Sequence, residues 1–363
     1  MDRLHQWREQ FISDRVSDDF LYGAAAGCLA TILLALVTRV VSMLRSDVYD
    51  LAHWKLNIRV PMQPMWMNLG YWRTARGEKI QQMDQACAAL LREVLRAADL
   101  LTGDAVAEKE LRGRRSIAIL DVGFGCGDQT VELARALDAP AWQRFRYVGL
   151  TLNPAQLQVA QQRVEREVAS ARRRGVALWP ESFRLLGADA ARPESWARPV
   201  RTLVDGVADA ALQERWLLAL DCLYHFAPSR TPLLLYAARE LRADLMAFDL
   251  VLNDKAFLSA RVAARVVGRL AGCPLGAFLT EDAYTELLVD AGYERATVQI
   301  RDVTSAVFGG LVAHMEKQQR SLKPYGVSLG SMGVAKRIFD WIDRTGIIRA
   351  VIVVARVKRK TAS

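Results

Sequence analysis

One stretch constrains this chain more than any other: residues 117–130, Ile-Ala-Ile-Leu-Asp-Val-Gly-Phe-Gly-Cys-Gly-Asp-Gln-Thr. Its first half, through Val122, is apolar and β-branched at several positions, which reads as a buried parallel strand. Asp121 lies at the end of that strand. Gly123, Gly125 and Gly127 follow at alternate positions, and the run Glu132 to Leu137 then favours a helix. Glycines in such a turn let the main chain approach a ligand with no Cβ in the way. Strand, glycine turn and helix N-terminus together make a nucleotide-type crevice. Taken alone, the glycines also fit a tight turn that binds nothing.

A chain of 363 residues can bury a full α/β core with extra segments. Its net charge is +9, which suits an anionic membrane surface, an anionic substrate, or arginines spread over solvated faces. No compact basic tract with interleaved aromatics occurs, which argues against a nucleic-acid partner. Cys28, Cys87, Cys126, Cys222 and Cys273 stand far apart, without metal-ligand or redox spacing. No metal is expected, and the catalytic part suits a reducing compartment.

Residues 1–19 are polar and of mixed charge. Asp2, Glu9, Asp14, Asp18 and Asp19 speak against a mitochondrial or plastid transit peptide. Residues 20–37 carry no charge, and apolar character continues past Arg39 to Leu44. A helix needs about 20 apolar residues to cross a bilayer, so residues 20–44 are expected to be a transmembrane helix, with Arg39 snorkelling near one end. A buried or interfacial helix is the alternative. The arginines on the two sides nearly balance, so charge does not orient the segment. Residues 45–78 read as a linker and an aromatic cap (Met65 to Trp72), with Pro61 and Pro64 disfavouring helix. A globular domain is expected over 79–363, its first helix drawn by Ala86, Leu90, Leu91, Val94 and Leu95.

The pattern Asp121-x-Gly123-x-Gly125-x-Gly127, and the order of elements after it, resembles the class I S-adenosylmethionine-dependent methyltransferases over residues 65–357. The resemblance implies a Rossmann-like α/β fold: a seven-stranded, mostly parallel sheet with a final antiparallel hairpin. It implies S-adenosyl-L-methionine as cofactor, with Asp121 and the three glycines at its methionine and ribose end. The second strand, from Phe145, ends in Gly149-Leu-Thr-Leu-Asn-Pro-Ala-Gln156 instead of an acid. That variant is similar to one in tocopherol methyltransferases and cyclopropane synthases, and it makes Thr151 and Gln156 the ribose candidates. A hydroxyl and an amide can still bond ribose hydroxyls. Asn153 before Pro154 suits a helix cap. By the same resemblance Asp189, after a third strand from Phe183, accepts from the adenine amino group. Trp196 fits either a place near adenine or the core.

The fourth strand runs from Arg215 into a loop, Asp221-Cys-Leu-Tyr-His-Phe226. An acid followed four residues on by histidine resembles the family's active-site motif, so Asp221, Tyr224 and His225 are expected to face the acceptor. A histidine can take a proton near neutral pH, or it can orient an acceptor for in-line transfer. A fifth strand is read over 245–251. Residues 256–270 form a helix over the active site or on a membrane surface, residues 293–302 a strand, and 347–357 the last strand. Residues 303–346 exceed a hairpin loop, and the resemblance makes Phe308, His314 and Tyr325 candidate lining of an acceptor pocket.

These readings describe a membrane-held S-adenosylmethionine-dependent methyltransferase for a small hydrophobic or lipid-like acceptor. Its domain would face the cytosol, where the cofactor is made, at the endoplasmic reticulum rather than the mitochondrion. Two alternatives share the fold. One is cyclopropanation, which would call for a bicarbonate-binding Cys/Glu/His/Tyr cluster that the sequence does not assemble. The other is a non-catalytic membrane scaffold.

Overall fold

The computed structural model describes residues 18–44, 64–101, 115–176, 178–270 and 272–358. The chain divides into two units, Met1–Ile58 and Arg59–Ser363. The aromatic cap thus belongs to the second unit. The expected linker residues 45–63 lie outside the described residues.

In the first unit, α1 (Asp18–Leu44) is 27 residues long. Phe20, Leu29, Ile32, Leu33 and Leu34 are all exposed. Among the described residues, no helix is long and apolar enough to cross a membrane. The transmembrane assignment of residues 20–44 is therefore not supported, although the helix itself is present.

The second unit is built on seven strands: β1 (Ser116–Val122), β2 (Arg144–Thr151), β3 (Phe183–Gly187), β4 (Glu214–Leu220), β5 (Asp244–Leu252), β6 (Gln299–Asp302) and β7 (Ile348–Ala355). Their order is β3-β2-β1-β4-β5-β7-β6. The first five are parallel, and β7 is antiparallel to both β5 and β6. This is the expected mostly parallel sheet with its final hairpin. β1 is central and buried at every position. Asp121 at its end stands opposite Gly149 of β2 and Leu218 of β4.

Alternation along β1 feeds two cores. Ile117 and Ile119 face one side, against α2 (Met83–Ala97), α3 (Asp128–Ala136) and α4 (Pro154–Arg173). Ala118 and Leu120 face the other, against α5 (Arg198–Asp205), α6 (Thr231–Arg239) and, beyond α7 (Leu258–Leu270), α8 (Glu281–Ala291). The amphipathic pattern read from Ala86 to Leu95 is the buried face of α2.

Two expected strands are shorter than the sequence suggests. The third ends at Gly187, because the Asp189 carboxylate accepts from Ala191 N at 2.9 Å and folds a turn. Of residues 293–302 only Gln299–Asp302 is strand. There Thr297 Oγ1 accepts the Arg356 amide at 2.9 Å, in place of a main-chain ladder bond. Residues 303–346 are not an open loop either. They form α9 (Phe308–Leu322) and α10 (Ser331–Thr345), packed on each other.

Candidate active site

A cavity of about 970 Å³ opens across the carboxyl ends of the parallel strands, where ligands of open α/β sheets bind. Gly123, Phe124, Gly125 and Cys126 form its floor. Gly125 sits at φ +67, a conformation that favours glycine, and a Cβ there would touch Met67 Sδ at 3.5 Å, so any longer side chain would enter the space between the turn and the segment above it. Gly127 does not line the cavity: its Cβ position is 2.9 Å from the Ala160 Cα, and it brings α3 against α4.

Asp121, expected on the cofactor, does not line the cavity either. It is fully buried beneath the turn, accepting from Gln129 Nε2 at 2.8 and 2.9 Å and from the Tyr147 hydroxyl at 2.7 Å. Those bonds tie β1, α3 and β2 together, so the carboxylate shapes the turn from below.

Thr151, Asn153, Gln156 and Asp189 line one wall. Thr151 Oγ1 donates to Gln156 Oε1 at 3.1 Å, and Gln156 Nε2 reaches Met67 Sδ at 3.4 Å. Asn153 caps α4, accepting from Ala155 N and Gln156 N. Trp196 lies outside the cavity, edge-on to Tyr236, and its indole N–H donates to the Asp189 carbonyl at 2.7 Å. It supports the Asp189 turn from the core side.

The aromatic segment divides. Met65, Trp66, Met67, Asn68 and Leu69 line the cavity, while Tyr71 and Trp72 do not. Asn68 folds its own turn, accepting from Gly70 N at 2.9 Å, and Trp72 donates to Leu69 O at 2.9 Å. Met65 N is held by Asp128 Oδ2 at 3.2 Å, and Asp128 is paired with the buried Arg163. The segment is thus strapped over the mouth of the glycine turn.

The loop after β4 faces the middle of the cavity. Asp221 takes a positive φ of 65 and lines the wall. One carboxylate oxygen accepts from Leu69 N at 2.8 Å and the other from the Tyr224 hydroxyl at 2.8 Å. Tyr224 packs on His225, with ring centroids 4.3 Å apart. His225 Nδ1 lies 3.5 Å from Cys273 Sγ. The sequence reading missed Cys273 because it follows α7, far along the chain. The buried Arg230 bonds Asp249 and the Ala277 carbonyl, fixing the turn that carries Cys273 and Phe278.

Burial pushes the carboxyls of Asp121 and Asp221 up to about 7, against the opposing pull of their hydrogen bonds. It also lowers the His225 imidazole and lifts the Cys273 thiol to about 11. Histidine and cysteine are both neutral near pH 7. Through these two carboxyls the folded chain binds protons between about pH 4 and pH 7 that the unfolded chain does not, so their contribution to stability falls as pH rises through that window. Each group contributes at most about 1.4 kcal/mol per pH unit. Urea denaturation at pH 5 and pH 7 measures this. Asp121→Asn is expected to lose less stability between the two than the parent does, and an equal loss would contradict the assignment.

Beyond His225 the cavity becomes an apolar chamber. Leu311, His314, Met315 and Gln318 face it from α9 at helical spacing, and Ala335, Ile338, Phe339 and Ile342 from α10. Ala264, Val267 and Gly268 of α7 close another side. Of the three residues expected as lining, only His314 is there. Phe308 is buried behind Phe339, and Tyr325 is exposed outside. His314 packs on Trp72 at 5.2 Å, and its Nδ1 has no hydrogen-bond partner among the described residues.

No family model matches this sequence, and no curated protein matches it significantly. Solved structures do share its fold. The [4+2]-cyclase SpnF is 18% identical with a TM-score of 0.50, over 81% of this chain and 89% of that one. The mycolic acid cyclopropane synthase CmaA1, complexed with SAH and CTAB, is 15% identical with a TM-score of 0.52, over 80% of this chain and 90% of that one. The N-methyltransferase 2 of Haemonchus contortus, in complex with phosphomonomethylethanolamine and S-adenosylhomocysteine, is 11% identical with a TM-score of 0.50, over 77% of this chain and 59% of that one. Three different chemistries on one scaffold make the likeness one of fold. In strand order and in its structural neighbours, the chain has the fold of the class I S-adenosylmethionine-dependent methyltransferases.

Proposed function

We propose that this protein is an S-adenosylmethionine-dependent methyltransferase acting on a hydrophobic, lipid-like small molecule at a membrane surface. One observation carries the reading: a single cavity joins a glycine turn at the sheet edge to a chamber walled by apolar side chains of α7, α9 and α10. The turn end fits the cofactor. Gly125 leaves the space that a side chain would fill. Thr151 and Gln156, now bonded to each other, can turn to two ribose hydroxyls, and Asp189 can offer Oδ2, which lies 3.7 Å from Arg192 Nε, to an adenine amino group. Two structures that share the fold were solved with the demethylated cofactor. When bound, the cofactor would supply a methyl group activated on a sulfonium sulfur, with the neutral thioether as its leaving group as the carbon–sulfur bond breaks in line.

The chain's own residues then do three things. The Met65–Leu69 strap and the glycine turn exclude water from the sheet edge. Asp221 holds the strap and the Tyr224 hydroxyl in place. His225, neutral at pH 7, accepts a proton from the acceptor or orients it by a hydrogen bond. The apolar exposed side chains of α1 support contact with lipid, and a cytosolic placement, at the endoplasmic reticulum, keeps the enzyme with its cofactor.

One observation favours a second reading, cyclopropane formation on a lipid. Cys273, His225, Tyr224 and Asp221 meet in the cavity, the kind of cluster that chemistry calls for. A cofactor with a fully deuterated methyl separates the two when incubated with the protein and a lipid extract. A methylated product keeps all three deuteriums, as we expect; a cyclopropane keeps two, because the bridging carbon loses one. Cofactor binding without any labelled lipid would overturn both and leave a non-catalytic scaffold.

A further inference from the structure

The helix α7 is a wall one helix thick. Ala264, Val267 and Gly268 face the apolar chamber. Val262 and Val266 point the other way, each 51% exposed, with Arg265 and Arg269 exposed beside them. At about 100° per residue Val262, Val266 and Arg269 share one outward face. Phe257 just before the helix is 84% exposed, and Leu275 just after it 61%. Apolar side chains on a surface that belongs to the cavity wall need a partner other than water.

The charges name that partner. Residues 255–280 carry Lys255, Arg261, Arg265 and Arg269 and no carboxylate. Several arginines elsewhere in this chain are paired with acids: Arg135 with Glu167, Arg295 with Glu286, Arg301 with Glu93, Arg349 with Glu281. Among the described residues, no ion pair involves Arg261, Arg265 or Arg269; Arg265 and Arg269 are exposed, and Arg261 is half-buried with its Nε shielded from solvent. A row of unmatched arginines beside exposed valines and a phenylalanine is complementary to phosphate groups over an acyl boundary.

We propose that the outer face of α7 docks on an anionic lipid bilayer. Val262, Val266 and Phe257 enter the boundary between headgroups and acyl chains, and the three arginines meet lipid phosphates. The chamber wall then lies against the phase in which a lipid-like acceptor dissolves. The purpose of the contact rests on the functional reading above; the contact itself does not.

The test uses the full chain, so that α1 is present throughout. The parent, the Arg261→Gln/Arg265→Gln/Arg269→Gln variant and the Val262→Ser/Val266→Ser variant are sedimented with vesicles of phosphatidylcholine, with or without phosphatidylserine. The parent is expected to bind the anionic vesicles more tightly, and this gain should shrink as salt is raised. At about five-fold per arginine, the triple variant loses about 100-fold of the affinity for anionic vesicles. The double variant is expected to bind both kinds of vesicle more weakly. Thermal unfolding and cofactor calorimetry should match the parent in both variants, since none of these residues lines the cavity. Equal dependence on phosphatidylserine in parent and triple variant overturns the proposal, as does a parent indifferent to that lipid or one that binds only an acidic protein. Sedimentation needs no methyl transfer, so an inactive protein would count against the functional reading and not against this surface.

Discussion

Gly125→Val is expected to abolish S-adenosylmethionine binding, with an affinity loss above about 100-fold by calorimetry, while the chain still folds. Two effects add. A β-branched residue at a φ of +67 is strained, at a cost of about 1–3 kcal/mol. Its γ-carbons must also occupy the gap between the turn and the strap, where the Cβ alone already lies 3.5 Å from Met67 Sδ. Strain is spread over the loop and lowers the unfolding temperature modestly; lost space falls wholly on the ligand. Gly125→Ala carries the strain with little of the lost volume, so its binding should fall between the parent and the valine variant. Unchanged affinity in Gly125→Val would remove the turn from the cofactor site, even if methyl transfer were found.

Replacing His225 should separate turnover from binding. His225→Ala is expected to lower kcat by about 100-fold, the low end of what a positioned proton acceptor supplies, with cofactor affinity within about two-fold of the parent. The ring touches Tyr224 and Cys273 at the middle of the cavity, away from Thr151, Gln156 and Asp189. Burial lowers its pKa, so it is an acceptor at neutral pH, and parent activity should fall only once the pH drops below that lowered value. His225→Gln keeps a hydrogen-bonding group without a titrating one. If the histidine takes a proton, the glutamine variant is slow and loses the acidic limb of the pH profile. If it only orients the acceptor, the glutamine variant recovers most of the rate. An unaffected rate in the alanine variant would make His225 structural.

Much of the strand edge was legible because its signals are local. Glycine spacing, the Asn153–Pro154 cap and the period of α2 each depend on neighbours within a few residues. Asp121 shows the limit of that kind of reading. Its place in the pattern suggests a ligand contact, yet Gln129 and Tyr147, one from a helix and one from the next strand, turn it inward. The acceptor chamber was read least well. From sequence, residues 303–346 read as an insertion with Phe308, His314 and Tyr325 as candidate lining, of which only His314 faces the chamber. The better signal was the spacing Leu311, His314, Met315, Gln318, followed by Ala335, Ile338, Phe339 and Ile342: two helical faces aimed at a common space. Cys273 carried no such signal, since nothing in its own neighbourhood points to His225.

By itself, the sequence determined the sheet, the glycine turn and the loop after β4, because backbone preference and apolar period act over short distances along the chain. It also set the charge asymmetry of α7, which needs only composition to be seen. Tertiary structure alone decided which side chains share the cavity: that Asp121 lies buried beneath the turn, that Met67 rather than Trp72 meets the glycines, and that Cys273 joins His225. Contacts between residues remote in sequence are chosen by how helices and straps pack over the sheet edge, and that packing is a property of the whole fold.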